Sequence, residues 1–159
     1  MDFRTIVSWC KTGMIAQRSV NEWFSSLPKS GGVYRLINGT MSERSQKERI
    51  NAVIALGESG DPRAVRPLMD CCNDSDALIR LHATEALLKL RSGRAVEVLI
   101  ERLKDKNEQR ATRERAAAAL AAVRSYSAIA GLRDLYADAD EDPALRSFVA
   151  EEIHRIRIR

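Results

Sequence analysis

The chain is 159 residues long, 45% apolar and 30% charged, with 26 Lys and Arg against 22 Asp and Glu for a net charge of +4. That length can bury a core without disulfide or metal staples, and an aromatic content of 5% argues against a sandwich or barrel of many short strands. No stretch approaches the ~18 apolar residues of a membrane span, Lys11, Thr12 and Gly13 interrupt any leader-like run, and the odd set Cys10, Cys71 and Cys72 fits a reducing, cytoplasmic setting.

An opening helix is predicted first, with Phe3, Ile6, Val7 and Cys10 on one face. Ser19, with Glu22 three residues on, then has the spacing of a capping box and starts a helix carrying Val20 and Phe24. The stretch Leu27 to Gly32 breaks the chain, and Val33, Leu36 and Ile37 open a partner helix. Residues 1–41 therefore read as N-terminal helices that include a degenerate repeat unit.

Residues 42–158 read as three helix pairs and a capping helix, joined to the N-terminal segment in a single compact unit. Their register is set by Arg49, Arg80, Arg113 and Arg146, spaced by 31, 33 and 33 residues. Each arginine precedes apolar or small residues at helical spacing: Ala52 and Leu56, Ala83 and Leu87, Ala116 and Leu120, Val149 and Ile153. A second helix follows in each unit, with Val65, Leu68, Met69 and Cys72 matched by Val96, Leu99, Ile100 and Leu103, then by Ile129, Leu132, Arg133 and Tyr136. Asp142 as N-cap and Pro143 at the first helical position open the closing helix, which has no partner helix after it. No single pair can bury its apolar face alone, so the expected fold is an all-α stack in which neighbouring units supply the core.

Gly60-Asp-Pro-Arg-Ala-Val-Arg-Pro-Leu-Met69, preceded by Ala55-Leu-Gly57, resembles the consensus of HEAT repeats of the phycobilisome (bilin) lyase type. The resemblance is specific over residues 45–105 and weaker over 106–158. It implies a right-handed α-solenoid, armadillo-like in architecture, whose second helices line the concave face. It also implies a structural ladder between repeats in which Asp74, Asp105 and Asp138 pair with Arg80, Arg113 and Arg146. Relatives of this kind include bilin lyases, deoxyhypusine hydroxylase, DNA glycosylases and adaptors without catalytic activity, so the fold alone does not choose among them.

The residues themselves offer no catalytic constellation, and no metal ligand set or cofactor is expected. Deoxyhypusine hydroxylase holds its irons with adjacent His-Glu pairs, whereas His82 here is followed by Ala83 and Thr84, and His154 follows Ile153. Asp138, Asp140 and Asp142 alternate as in a calcium loop, but Pro143 stands where that loop needs Gly. Cys72 falls on a core position and reads as a small hydrophobe. Positive charge sits at the two ends, with a net −2 over residues 46–154, against a continuous nucleic-acid face.

On a helical wheel, Asp70, Glu101 and Asp134 point away from the core at equivalent places on successive second helices, with Arg35, Arg66, Glu97, Tyr34 and Arg102 beside them. The expected function is a non-catalytic protein-binding scaffold whose concave face accepts a basic peptide or helix, with Trp23 as a further candidate anchor. The alternatives are an accessory subunit or chaperone of a bilin-lyase-like enzyme, and nucleic-acid binding through the basic termini.

Overall fold

A computed structural model describes residues 31–157. Among them are eight helices: α1 (Gly31–Gly39), α2 (Gln46–Glu58), α3 (Val65–Cys71), α4 (Ala77–Leu90), α5 (Val96–Lys104), α6 (Arg110–Val123), α7 (Tyr126–Ala137) and α8 (Pro143–Arg157). Short 3-10 turns, Pro62–Ala64 and Gly93–Ala95, lead into α3 and α5. The opening helix and the first helix of the degenerate unit lie outside the described residues. The remaining expected helices are present, and α1 carries the expected Val33, Leu36 and Ile37 on its core side.

The chain folds as an α-solenoid. Each first helix (α2, α4, α6, α8) packs on the first helix of the neighbouring unit and on the second helix that precedes it. One continuous core results, with Leu56, Leu68, Ile79, Leu87, Leu99, Leu103, Leu120, Leu132 and Leu145 fully buried along its length. The first helices approach closely because small residues face one another. A Cβ at Gly57 would lie 2.6 Å from the Cβ of Ala86, too near for any side chain at that crossing.

Local signals set the helix starts. Ser45 and Glu48 form a reciprocal capping box at α2, Asp76 accepts from the Leu78 amide at 2.8 Å, and Ser125 accepts from the Ala128 amide at 3.2 Å. Asp142 caps α8 as expected, accepting from the Ala144 amide at 3.1 Å. The ends of the first helices share a left-handed residue at one register position: Gly60 (φ 65°), Arg91 (φ 48°) and Arg124 (φ 59°). Glycine adopts that conformation freely, whereas a side chain costs about 1–2 kcal/mol. Arg124→Gly is therefore expected to raise stability by about 1 kcal/mol. A higher urea midpoint at unchanged m-value checks this, and a midpoint that falls would show that the Arg124 side chain holds the turn.

One expected core position is open. Tyr136 occupies the register of Cys72 and Leu103, both fully buried, yet is 48% exposed. The reason lies in the stack: Cys72 and Leu103 are covered by the unit that follows them, and among the described residues no helix follows α8.

Candidate functional site

Two constellations recur from unit to unit, one inside the inter-repeat turns and one on the outer face of the second helices. The inner one is built on the four register arginines. Each projects from the first turn of a first helix and caps the chain leaving the preceding second helix. Arg49 Nε donates to the Thr40 carbonyl at 3.0 Å, and Arg80 Nη1 to the Asp74 carbonyl at 2.8 Å. Arg113 Nε donates to the Leu103 carbonyl at 2.8 Å, and Arg146 Nε to the Tyr136 carbonyl at 3.2 Å.

Three of the four then reach forward to a carboxylate of the next turn. Arg49 binds Asp74. Arg80 binds Glu108 through two parallel bonds of 2.6 and 3.1 Å. Arg113 binds Glu141 in the same bidentate way, Nη1 to Oε1 at 2.9 Å. Every expected pair is replaced: Asp74 binds Arg49 and gives Arg80 only its backbone carbonyl, Glu108 and Glu141 are the acids on Arg80 and Arg113, and Arg146 meets no carboxylate among the described residues. The chain from Leu103 to Arg113 and from Tyr136 to Arg146 is two residues longer than from Cys72 to Arg80, as the 33- and 31-residue spacings require, and a glutamate comes under the arginine. Asp105 and Asp138 shape those turns, accepting from the Asn107 and Asp140 amides at 3.0 and 2.9 Å. They pair at the surface with Arg102 and Lys106.

These pairs are withdrawn from water: the side chains of Glu108, Arg113 and Glu141 are 1%, 7% and 4% exposed. Arg113 and the Asp142 amide together hold the Glu141 carboxyl below its ordinary value of 4.5. Burial opposes ionisation of Glu108, but bonds from Arg80 and the Gln109 amide outweigh it and lower its pKa as well. A register search for an acid 28 residues after each arginine would have found both glutamates.

On the outer face, Arg66 and Asp70 of α3 form an i,i+4 pair at 3.3 Å, with side chains 74% and 67% exposed. Asp134 of α7, 65% exposed, is bridged to Lys104 of α5 at 3.1 Å. Glu97 and Glu101 sit one turn apart on α5, both exposed, and make no ion pair among the described residues. Arg35 is exposed on α1. Tyr34 lies under the Arg63 guanidinium at 5.3 Å. Arg102 is drawn inward, 19% exposed, with Nη1 at 3.6 Å from both Asp105 and Glu108, so it does not flank the outer row. Trp23 lies outside the described residues.

The other candidate groups have local roles. His82 is half-buried, its Nδ1 3.9 Å from Glu85, and Glu151 pairs with Arg155. Burial pushes the Cys72 thiol up to about 12, and its Sγ rests 3.8 Å from the Thr84 hydroxyl, which makes it an unreactive core residue. Among the described residues no cluster of three or more His, Cys, Asp or Glu has metal-site geometry, and no helix is long and apolar enough to cross a membrane.

Comparison with known proteins adds the following. Residues 34–114 match the family of HEAT repeats. The fold is similar to human deoxyhypusine hydroxylase solved with glycerol, with a TM-score of 0.71 and 24% identity over 80% of this chain and 44% of that one. It is similar to the complex of CpcE and CpcF of phycocyanin lyase from a Nostoc species, with a TM-score of 0.63 and 20% identity over 82% of this chain and 55% of that one. An engineered protein gives a TM-score of 0.58 and 24% identity over 86% of this chain and 67% of that one. The chain thus spans 44% and 55% of the two natural proteins. No curated protein matches it by sequence.

Proposed function

Since the chain belongs to the HEAT-repeat family, we propose that it is a non-catalytic protein-binding scaffold whose second-helix face receives a basic peptide or helix. The observation that carries this reading is the row of exposed charge on successive second helices, centred on Glu97 and Glu101 of α5. Asp70 and Asp134 flank that centre and are each held by one cation, Arg66 and Lys104. A partner's Lys or Arg would meet its least compensated carboxylates on α5, while Arg66, Lys104 and Arg35 set register by repelling misplaced cations. Trp23 is a further anchor in this proposal. Exposed pairs of this kind govern association rate and specificity more than stability, so a partner can displace them at small cost.

The test compares the intact chain with a variant carrying Asp70→Lys, Glu101→Lys and Asp134→Lys, after far-ultraviolet circular dichroism shows equal helicity. A protein captured from source-cell lysate is purified and titrated against both. The expected result is binding to the intact chain that weakens at least tenfold in the variant and moderately with salt. Equal affinities would remove the outer row as the contact surface. A steep salt slope carried by co-purified nucleic acid would instead favour the basic termini.

A second reading, as an accessory subunit of a lyase, draws on the similarity to the phycocyanin lyase complex. Visible absorbance from a co-purified pigment would support it.

A further inference from the structure

The repeat supplies its own control for a unit with no following helix pair among the described residues. In the two inner units, the row Met69, Cys72, Thr84, Leu87 and Leu88 and the row Ile100, Leu103, Ala117, Leu120 and Ala121 face the following helix pair. Cys72, Thr84, Leu103, Ala117 and Leu120 are fully buried there. The covering second helix comes close enough that a Cβ on Gly131 of α7 would lie 2.8 Å from Ile100.

The equivalent row in the last unit is Arg133, Tyr136, Ala150, Ile153 and His154, and it lines an open cleft of about 390 Å³ between α7 and α8. Its floor keeps the apolar character of the inner rows in Ala150, Ile153 and the Tyr136 ring. Its rim has exchanged aliphatic residues for Arg133 and His154.

The arginine ladder ends at the same place. Arg49, Arg80 and Arg113 each bind a carboxylate of the next unit, whereas among the described residues Arg146 binds only the Tyr136 carbonyl and stacks on the Tyr136 ring at 5.9 Å. The neighbouring acids are engaged elsewhere: Asp138 with Lys106, and Glu151 and Glu152 with Arg155. In the Arg80 and Arg113 rungs the acid stands immediately ahead of the N-cap of the next first helix. There Glu108 and Glu141 also accept from the amides of Gln109 and Asp142, each at 2.9 Å.

We propose that this end of the stack is a docking site for a helix of another polypeptide that carries a carboxylate just ahead of its first turn. The carboxylate completes the Arg146 rung, the helix covers Ala150 and Ile153, and Arg133 and His154 favour an acidic rim on the partner. A second copy presenting the same end is disfavoured, because it would bring the cations Arg133 and Arg146 of both copies together with no acid to complete the Arg146 rung.

A probe of known geometry is a synthetic peptide of residues 105–124, which brings Glu108 ahead of α6 in the native ladder. It is titrated into the intact chain while the methyl resonances of Ala150 and Ile153 are followed. The expected result is saturable shifts at these methyls with a Kd at or below about 1 mM. Glu108→Gln in the peptide, or Arg146→Gln in the protein, should weaken binding about tenfold or more. The peptide arm stands even if the protein variant fails to fold. No shift at about 1 mM peptide, equal binding by the Glu108→Gln peptide, or shifts confined to Leu87 and Leu120 would overturn the proposal.

Discussion

Glu141→Ala is expected to lower the free energy of unfolding by about 3–5 kcal/mol, because it strands the Arg113 guanidinium, 7% exposed, without its bidentate partner. Chemical unfolding monitored by circular dichroism measures this. A loss below about 1 kcal/mol, the scale of a surface pair, would show that water reaches the rung. Replacing both partners, Arg113→Met with Glu141→Leu, should recover most of the loss, since well-packed apolar groups carry no buried charge.

The same rung sets a pH dependence. The folded pKa of Glu141 lies below its ordinary 4.5, so the unfolded chain binds the proton more readily. The stabilisation is complete above that ordinary value and is lost as the pH falls through the lowered folded value. Glu108 acts in the same direction. Melting temperature should therefore drop on acidification below about pH 5, and less steeply in the Arg113→Met, Glu141→Leu chain.

Leu120→Ala should cost about 2–5 kcal/mol, the range for emptying a closed site. Leu120 is fully buried in the last turn of α6, between neighbours that cannot collapse without moving a whole helix. Ile153 stands at the same repeat position in α8 and is half-buried, so Ile153→Ala should cost less than half as much. Equal losses at the two positions would mean that the last unit is as closed as the inner ones.

These contrasts mark where the sequence could be read and where it could not. Apolar spacing within one helix is a local property, so the register from Arg49 to Arg146 and the inward set Val65, Leu68 and Cys72 were legible. The ladder acids were not, because they sit in turns without periodicity, where Asp105 competes with Glu108 and Asp138 with Glu141. The two residues gained between the second-helix core and the next arginine separate these cases from Asp74, which serves Arg49 and not Arg80. Tyr136 has a core residue's spacing and a surface residue's exposure, since its burial depends on a helix two elements further on. The strain at Arg91 and Arg124 becomes visible only when they are aligned with Gly60. On the outer face, the wheel gave the direction of Asp70 and Asp134. Their cations, Arg66 from the same helix and Lys104 from the neighbouring one, follow from packing.

The ladder also bears on how the molecule comes apart. Every rung joins residues 25 to 28 positions apart, so the strongest polar ties are short-range in sequence and link only adjacent units. A linear array coupled in this way behaves as a row of nearest-neighbour switches, each steadied by the one beside it. The switch containing α8 has a neighbour on one side and an unfilled arginine on the other among the described residues. Opening of that switch is therefore expected to be easier than opening of the inner ones and to stop at the Arg113–Glu141 rung, where both charges would have to be exposed.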